Sequence, residues 1–257
     1  MKIRLALIRQ YPKKGDLESN HQCLTGILEE ITNHKPDLVI TPECFLDGYV
    51  VTEAHINHEN LEEYAVRPED SKYTTHVADW ASANSCWVIY GCSRKVPGGG
   101  VSNSAIIFDR EGGIHGNYDK THCPAHDRSF LPGNALPVFE SDFGIFGVVI
   151  CADRRRPECI RSLALQGARI VFNPTYGNYG EMNNCLMRTR SFENELFIAF
   201  THPAQSLVTD PSGKTLLDDS DENTAFSICE VNLADANRRR ARDNSFLKAR
   251  RSDLYLR

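Results

Sequence analysis

The sequence predicts an α/β fold in a single domain that spans residues 1–257. Short runs rich in Val, Ile and Phe, such as residues 145–150, are too short for helices and are typical of buried strands. Residues 16–33 carry apolar side chains at helical spacing instead, which predicts an amphipathic helix. No linker, low-complexity segment or internal repeat interrupts the chain. Strands and helices that alternate in this way form layers around one continuous core.

The elements follow in order along the chain. In the first half, strands are predicted at residues 2–9, 37–40, 87–91, 101–108 and 114–118, and helices at residues 16–33, 61–66 and 71–84. In the second half, strands are predicted at residues 138–140, 144–150 and 168–172, at 196–201 and, as short antiparallel strands, within 206–231. The helices predicted there are residues 157–166, 181–194 and 232–242.

Composition narrows the classes of function. The chain has 257 residues and a formal net charge of −5, which is too negative for a nucleic acid or an anionic membrane to be expected as a partner. No apolar run is long enough to span a bilayer, and the opening MKIRLALIRQYP predicts a first strand and not a signal peptide. The nine cysteines are odd in number and form no CxxC pair. Free thiols of this kind are typical of a reducing compartment, so we expect the cytoplasm.

Cys151 stands at a position where α/β folds place their chemistry. It follows the predicted strand 144–150, and Pro157 marks the first turn of the next helix. A thiol near a helix N-terminus is favoured as a thiolate, which is a strong nucleophile. The alternative is a buried structural thiol, because free cysteine is among the most buried residue types.

Two further strand ends carry groups that suit a nucleophilic cysteine. Glu43 follows the strand 37–40, and Lys120 follows the strand 114–118. A carboxylate can take the thiol proton, and an ammonium can stabilise a developing oxyanion. The backbone N–H of Ala152 supplies a second oxyanion donor at the strand-to-helix turn. This set suffices for acyl transfer through a thioester, although Glu43 could equally be a helix cap and Lys120 a surface lysine.

Three segments extend this interpretation to a family. TPECFLDGY, YDKTHCP and VVICADRRRPE resemble, in order and spacing, the three signature segments of the nitrilase superfamily, the carbon–nitrogen hydrolases. The resemblance implies a four-layer αββα sandwich, with Cys151 as nucleophile, Glu43 as general base and Lys120 as oxyanion stabiliser. It also implies homodimers that pair their helical layers, and no cofactor.

The loop before FLPG departs from the family pattern. The family usually has a second glutamate in this loop, whereas the chain reads AHDRSFLPG. His126 falls at or beside the expected position, and Asp127 is the nearest carboxylate. Either residue is a candidate for the missing role, with altered pH dependence for histidine. The remaining alternative is that the loop has lost the function.

Histidines and cysteines in the same region raise two alternatives, a zinc site and a Cys–His catalytic pair. His122, Cys123, His126 and Asp127 form a cluster of zinc-ligand types, but their spacing matches no recognised zinc motif, so no metal site is predicted. Catalysis by a Cys–His pair, with His126 or His202 as the base for Cys151, is a further alternative to the Glu–Lys–Cys set.

The segment CADRRRPE bears on the substrate. It is similar to that of the N-carbamoyl-amino-acid amidohydrolases, in which an arginine at the position of Arg154 meets the substrate carboxylate, whereas Arg155 resembles a structural ion-pair residue. A solvated or dimer-contact arginine is the alternative for Arg154. Asn173 and Tyr176, after the strand 168–172, are further candidates for substrate binding. True nitrilases usually carry Trp-Glu after the cysteine, and Ala152-Asp153 here favours an amide or carbamoyl substrate.

We therefore expect a cysteine-dependent amidohydrolase that cleaves a small linear amide or N-carbamoyl compound. A catalytically impaired family member that acts as a binding subunit is the second hypothesis, because the loop lacks its glutamate. The third is an acyltransferase that passes the thioester to an amine.

Overall fold

The computed structural model describes residues 1–255, which form two six-stranded mixed sheets with helices on their outer faces. Along the chain, the strands are β1 (Lys2–Ile8), β2 (Leu38–Ile40), β3 (Trp87–Lys95), β4 (Val101–Phe108), β5 (Ile114–Asp119), β6 (Val138–Ser141), β7 (Gly144–Val148), β8 (Ile170–Pro174), β9 (Phe197–His202), β10 (Gln205–Thr209), β11 (Thr215–Asp219) and β12 (Phe226–Asn232). The helices are α1 (Leu17–Thr32), α2 (Lys72–Asn84), α3 (Pro157–Leu165), α4 (Glu181–Asn194) and α5 (Ala234–Ala241).

The order of the strands explains how the two sheets form. The first sheet runs β12-β1-β2-β3-β4-β5 and the second runs β11-β10-β9-β8-β7-β6. β1, β2 and β3 are parallel neighbours, as are β7, β8 and β9. Their carboxyl ends therefore lie at one edge of each sheet, where α/β proteins place ligands.

Two opposite faces of each central strand are buried. In β1, Leu5 and Leu7 pack between the two sheets, while Ala6 and Ile8 pack toward α1 and α2. The second sheet repeats the pattern on the other side, toward α3 and α4. Since side chains alternate across a strand, this burial on both faces accounts for the continuous apolar runs in the sequence. The αββα layering predicted from the sequence is confirmed.

The outer helices follow the sequence signals closely. Asp16 caps α1 by accepting a hydrogen bond from the Ser19 N–H at 2.9 Å, and α1 buries a stripe that includes Leu24, Leu28 and Ile31. α4 spans the predicted residues 181–194 without a difference. None of the helices within residues 1–255 combines the length and the apolarity that a crossing of the bilayer requires.

Of the antiparallel strands predicted within residues 206–231, β10 and β11 pair in the second sheet, and β12 pairs antiparallel with β1 in the first sheet. Two local predictions were wrong. Residues 61–66 form only a short 3-10 turn, Leu61–Tyr64. The strand before Cys151 ends at Val148, and a 3-10 turn, Cys151–Arg155, separates the cysteine from α3. Cys151 therefore opens a 3-10 turn, and the N-terminus of the α-helix lies six residues further on.

Candidate active site

Glu43 and Lys120 meet between the two sheets. The Lys120 Nζ lies 2.7 Å from the Glu43 Oε1, and neither side chain has any exposed surface. Glu43 follows β2 and Lys120 follows β5, so the ends of two strands of the same sheet bring them together. The convergence predicted for these two residues is therefore present, and they are neither a helix cap nor a surface lysine.

The Glu43 carboxylate is held by three donors. Besides Lys120, the Asn103 Nδ2 donates to Oε1 at 2.8 Å, and the Tyr176 backbone N–H donates to Oε2 at 2.8 Å. Asn103 lies on β4 and Tyr176 follows β8, so both sheets contribute to the position of one carboxylate. A group fixed in this way needs no reorientation before it takes a proton.

A second carboxylate completes the cluster. The Asp127 Oδ2 lies 2.5 Å from the Lys120 Nζ, and the Tyr49 hydroxyl donates to Asp127 Oδ1 at 2.5 Å. The Asp127 side chain is fully buried, whereas 55% of the His126 side chain is exposed. Of the two candidates for the missing glutamate, the structure therefore places Asp127 in the cluster and leaves His126 at its edge.

Lys120 is held as an ammonium by these neighbours. Burial acts to lower the pKa of Lys120, but Glu43, Cys151 and Asp127 together raise it above its ordinary value. A lysine with a raised pKa keeps its proton at neutral pH. It can therefore stabilise negative charge on a neighbouring oxygen, and it cannot act as a base.

Cys151 adopts a strained backbone conformation at the start of its 3-10 turn. Its φ of 45° lies in the left-handed region, which is uncommon for residues other than glycine. The thiol lies against Gly177, where an added Cβ would come 3.2 Å from the sulfur. Cys151 is only 8% exposed, so little of the residue is accessible to a substrate.

The surroundings of Cys151 do not favour the thiolate in the free protein. Burial, followed by the charge of Glu43, raises the pKa of Cys151, and Lys120 and Arg154 only partly offset this. The α-helix dipole invoked from the sequence does not act at this position, because a 3-10 turn intervenes. Cys151 is therefore a neutral thiol near neutral pH and needs a base to become a nucleophile.

The turn after Cys151 is anchored by Asp153. Its Oδ2 accepts hydrogen bonds from the Ile150 N–H at 3.0 Å and the Tyr118 hydroxyl at 2.8 Å. Its Oδ1 accepts from the backbone N–H of His122 at 2.9 Å. One buried carboxylate thus ties the cysteine turn to the segment that carries Lys120. Ala152 is the second residue of the same turn, where the first N–H groups have no partner within the turn, so its N–H is available as an oxyanion donor.

Arg154 and Asn173 are both buried and engaged with protein atoms. The Arg154 guanidinium donates to the Cys151 carbonyl oxygen at 2.6 Å, to Asn183 Oδ1 at 2.7 Å and to the Asn178 carbonyl oxygen at 2.5 Å. Asn173 donates from Nδ2 to the Val149 carbonyl oxygen at 2.9 Å. Both residues therefore support the cysteine segment. Arg155, expected in a structural ion pair, is exposed, and no carboxylate within residues 1–255 forms a salt bridge with it.

The alternative bases for Cys151 are not available. His202 donates from Nε2 to the Tyr176 carbonyl oxygen at 3.0 Å and accepts from the Ala204 N–H at Nδ1 at 2.9 Å, so both ring nitrogens are occupied. Burial lowers the pKa of His202 to about 4, and the ring is neutral at pH 7. His126 is the other candidate, and it faces Asp127 from the outside at 4.0 Å. The structure does not support the Cys–His pair.

The predicted cluster of zinc-ligand types also separates. Asp127 belongs to the buried cluster around Lys120, and His126 is largely exposed. His122 turns instead toward Asp153, with 2.8 Å between Nδ1 and Oδ1. The Cys123 thiol lies 3.8 Å from the Lys120 carbonyl oxygen. These four residues therefore do not form one site.

Sequence reasoning missed Tyr49, Asn103 and Asp153. Tyr49 and Asp153 lie inside the quoted signature segments, but nothing in their residue type assigns them a partner. Asn103 had a visible signal, since Ser102, Asn103 and Ser104 form a polar triplet inside a strand that is buried along its whole length. A buried polar side chain requires a hydrogen-bond partner, which here is Glu43.

Comparison with known proteins gives the class. A family model described as carbon-nitrogen hydrolase matches residues 4–241. The chain therefore belongs to the carbon-nitrogen hydrolase family, which is also called the nitrilase superfamily. Members of this family are hydrolases that act on carbon–nitrogen bonds.

Individual relatives cover nearly the whole chain. The probable nitrilase C965.09 of Schizosaccharomyces pombe is 28% identical over 277 residues, which covers 100% of this chain and 98% of that protein. The omega-amidase NIT3 of Saccharomyces cerevisiae is 24% identical, and its alignment covers 99% of this chain and 95% of that protein. Among solved structures, a double mutant of the amidase from Nesterenkonia sp. AN1 in complex with acrylamide has a TM-score of 0.79 at 20% identity. The superposition covers 98% of this chain and 95% of the amidase chain. This likeness establishes the shared fold.

Proposed function

We propose that this protein is a cysteine-dependent amidohydrolase that cleaves a small linear amide or N-carbamoyl compound. The observation that carries the proposal is the buried cluster of Glu43, Lys120 and Asp127 beside the strained Cys151. A carboxylate, an ammonium and a thiol are the three groups needed for acyl transfer through a thioester.

The first half of the reaction forms the thioester. Glu43 takes the proton of the Cys151 thiol as the sulfur attacks the carbonyl carbon, because the thiol is neutral before substrate arrives. The carbonyl oxygen becomes an oxyanion, which Lys120 and the Ala152 N–H stabilise. As the carbon–nitrogen bond breaks, Glu43 returns its proton to the departing ammonia or amine.

The second half hydrolyses the thioester. Glu43, again a carboxylate, removes a proton from a water molecule that attacks the same carbon. The tetrahedral intermediate collapses, the carbon–sulfur bond breaks, and the sulfur recovers the proton from Glu43. The product is a carboxylic acid, or a carbamic acid if the substrate is a carbamoyl compound. No cofactor takes part in these steps.

Asp127 supports an active enzyme over an impaired binding subunit. It supplies a carboxylate 2.5 Å from Lys120, where it balances a buried positive charge and orients the ammonium. The impaired-member hypothesis depended on the absence of such a carboxylate. We propose that Asp127, which accepts a hydrogen bond from the Tyr49 hydroxyl, takes the role of the second glutamate of the family.

The cysteine segment and a structural neighbour support the proposed substrate class. Ala152-Asp153 in place of Trp-Glu favours an amide over a nitrile, and the double mutant of the Nesterenkonia amidase, which has the same fold, was solved in complex with acrylamide, a small linear amide. The low exposure of Cys151 favours a small acyl group. Tyr176, which is half-buried and whose backbone N–H donates to Glu43, remains our candidate for contact with this group. A substrate carboxylate at Arg154 would have to displace protein acceptors, which favours neutral substrates.

The assembly and the compartment are part of the proposal. Exposed apolar side chains on α3, α4 and the segment after α5 support a homodimer through the helical layer, and all nine cysteines are free, as suits the cytoplasm.

Release of ammonia from a panel of amides, N-carbamoyl amino acids and nitriles tests the proposal. Mass spectrometry of the intact protein is run on the same mixtures, with Cys151→Ala as the control. An adduct on Cys151 that turns over with ammonia release supports the amidohydrolase. An adduct that persists until an amine is added supports the acyltransferase instead, and no adduct with any compound contradicts both.

A further inference from the structure

A second group of reactive side chains lies outside the cluster around Glu43. The His122 Nδ1 is 2.8 Å from the Asp153 Oδ1, and the Cys159 Sγ is 3.7 Å from the same nitrogen. All three ligand-type atoms lie within 4.8 Å of one another. They come from three different segments, namely the loop after β5, the turn after Cys151 and helix α3, and the fold alone brings them together.

Imidazole, carboxylate and thiolate are the ligands that zinc takes in proteins. With tetrahedral zinc bond lengths, a nitrogen and an oxygen ligand are about 3.4 Å apart, and a sulfur and a nitrogen about 3.6 Å apart. The sulfur–nitrogen separation already has this length. The nitrogen–oxygen pair has to open by roughly half an ångström. The Thr121 hydroxyl lies 2.9 Å from Nδ1 and 3.0 Å from Oδ1, so it has to turn away from both atoms when the cation binds.

Charge and access also fit a divalent cation. A carboxylate, a thiolate and a neutral imidazole neutralise two positive charges, which matters in a buried position. Asp153 is fully buried and Cys159 is 1% exposed, whereas 38% of the His122 side chain reaches the surface and gives a path of entry. Burial together with Asp153 raises the pKa of the metal-free Cys159 to about 12, so the free thiol keeps its proton and stays unreactive.

We propose that His122, Asp153 and Cys159 form a zinc site, with a water molecule as the fourth ligand. Binding forms bonds from zinc to Nδ1, Oδ1 and Sγ. The thiol proton leaves to solvent and the imidazole proton moves from Nδ1 to Nε2, so one proton is released for each zinc bound. Asp153 Oδ2 is not a ligand and keeps its hydrogen bonds from the Ile150 N–H and the Tyr118 hydroxyl. Oδ1 exchanges its hydrogen bond from the Thr121 hydroxyl for the bond to zinc. Zinc bound to both His122 and Asp153 therefore still links the cysteine turn to the segment that carries Lys120.

Cobalt(II) is the probe, because a thiolate ligand gives it a charge-transfer absorption. The tag-free protein carries Cys151→Ala, so that the thiol beside Glu43 cannot contribute. We expect one equivalent of cobalt with this absorption, displaced by zinc, and a rise in Tm when zinc is added. Adding Cys159→Ser should abolish the absorption and weaken binding by more than the about 10- to 100-fold that loss of an outer-shell partner costs.

Cys185→Ser in the same Cys151→Ala background is the matched control, because Cys185 is exposed and distant in sequence. It should retain the spectrum and the rise in Tm. His122→Asn is the second variant and should also weaken binding, which keeps the test open if Cys159→Ser folds poorly. A thiolate–cobalt spectrum that survives Cys159→Ser, or the absence of such a spectrum in the Cys151→Ala protein, overturns the proposal. If Cys159→Ser does not fold, an unchanged cobalt affinity in His122→Asn overturns it.

Discussion

Lys120 Nζ and Asp127 Oδ2 lie 2.5 Å apart in a pocket that excludes solvent from both side chains. A buried ammonium requires counter-charges, and Glu43 alone would have to provide one while also exchanging a proton. In the proposed reaction, the Asp127 carboxylate is the second counter-charge of Lys120 and acts as a positioning residue for its ammonium.

Asp127→Asn should therefore lower kcat strongly while leaving the fold intact. We expect a loss approaching the about 10²–10³-fold that removal of one oxyanion donor costs, because Lys120 loses its alignment. Ammonia release at saturating substrate measures this. His126→Ala is the matched control, since this neighbour is largely exposed, and it should retain activity. Equal activity in both variants would remove Asp127 from the role.

The sequence identified Asp127 and His126 as alternatives but had no means to choose between them. They are adjacent in the chain, and the choice depends on which side chain the short 3-10 turn Ala125–Asp127 directs inward. Strand ends are more predictable, because hydrophobic periodicity places them. Glu43, Lys120 and Cys151 were found in this way. The same periodicity predicted an α/β chain with one core, whereas the αββα layers were implied by the family resemblance.

Other parts of the site depend on contacts that leave no trace in the sequence. The Tyr176 donor to Glu43 is a backbone N–H, which any residue other than proline would supply. The raised pKa of Cys151 results from burial by segments far apart in the chain, and the sequence showed only the helix that follows. The site of β12 in the first sheet likewise depends on long-range pairing with β1.

Asn103 is expected to act as a positioning residue for Glu43. Asn103→Ala removes the donor to Oε1 while Lys120 and the Tyr176 N–H remain. Since a hydrogen bond to a charged group contributes about 1.5–3 kcal/mol, kcat should fall by about 10- to 100-fold with little change in KM. Asn103→Asp should be worse, because it brings a second negative charge to the carboxylate.

The control for Asn103 is Asn117→Ala on the neighbouring strand β5. Asn117 donates to Asp119 at 3.1 Å, outside the cluster, and this variant should keep wild-type kcat. If Asn103→Ala changed KM and not kcat, Asn103 would contact substrate and would not position Glu43.

Glu43→Gln should lower the turnover of substrate and raise the rate at which Cys151 is alkylated. Turnover should fall by about 10²–10⁴-fold, because the amide cannot take a proton. The negative charge of Glu43 raises the pKa of Cys151, so its removal lowers this pKa and increases the thiolate fraction at pH 8. Alkylation of Cys151 by iodoacetamide should therefore become faster.

Peptide mapping after short labelling distinguishes the nine cysteines in that experiment. Labelling of the exposed Cys185 is the internal control and should not change between wild type and variant. Wild-type Cys151 should label slowly at pH 7 and faster at higher pH. Rapid labelling of wild-type Cys151 at pH 7 would mean that a thiolate exists before substrate binds.

His202 makes the stability of the fold depend on pH. Its pKa is lowered from 6.5 to about 4 in the folded protein by burial, so the unfolded chain binds a proton more readily. The stability it supports is complete above pH 6.5 and is lost as the pH falls toward 4, by about 3 kcal/mol in all. Urea unfolding across this range, compared with His202→Gln, measures the difference. A His202→Gln protein with the wild-type slope would contradict the assignment.

The exposed apolar face of α3, α4 and the segment after α5 is expected to pair two copies of the chain. Leu165, Phe246 and Tyr255 line one groove, and Phe192 contacts Phe246 with 5.0 Å between the ring centroids. Glu195 fixes the segment after α5 to the end of α4, because its carboxylate accepts hydrogen bonds from the Ser245 hydroxyl and the Phe246 N–H. The face is therefore pre-formed, and a second copy would bury it without a large ordering cost.

Phe192→Lys should shift the protein from dimer to monomer in sedimentation analysis at micromolar concentration, because it replaces the aromatic contact with Phe246 on that face by a charge. Leu216→Lys is the matched control, since Leu216 on β11 has the same 41% exposure as Phe192 but lies on the edge strand of the second sheet. The control should remain dimeric and active. A monomeric wild type, or a dimer that Phe192→Lys leaves unchanged, would exclude pairing through this face.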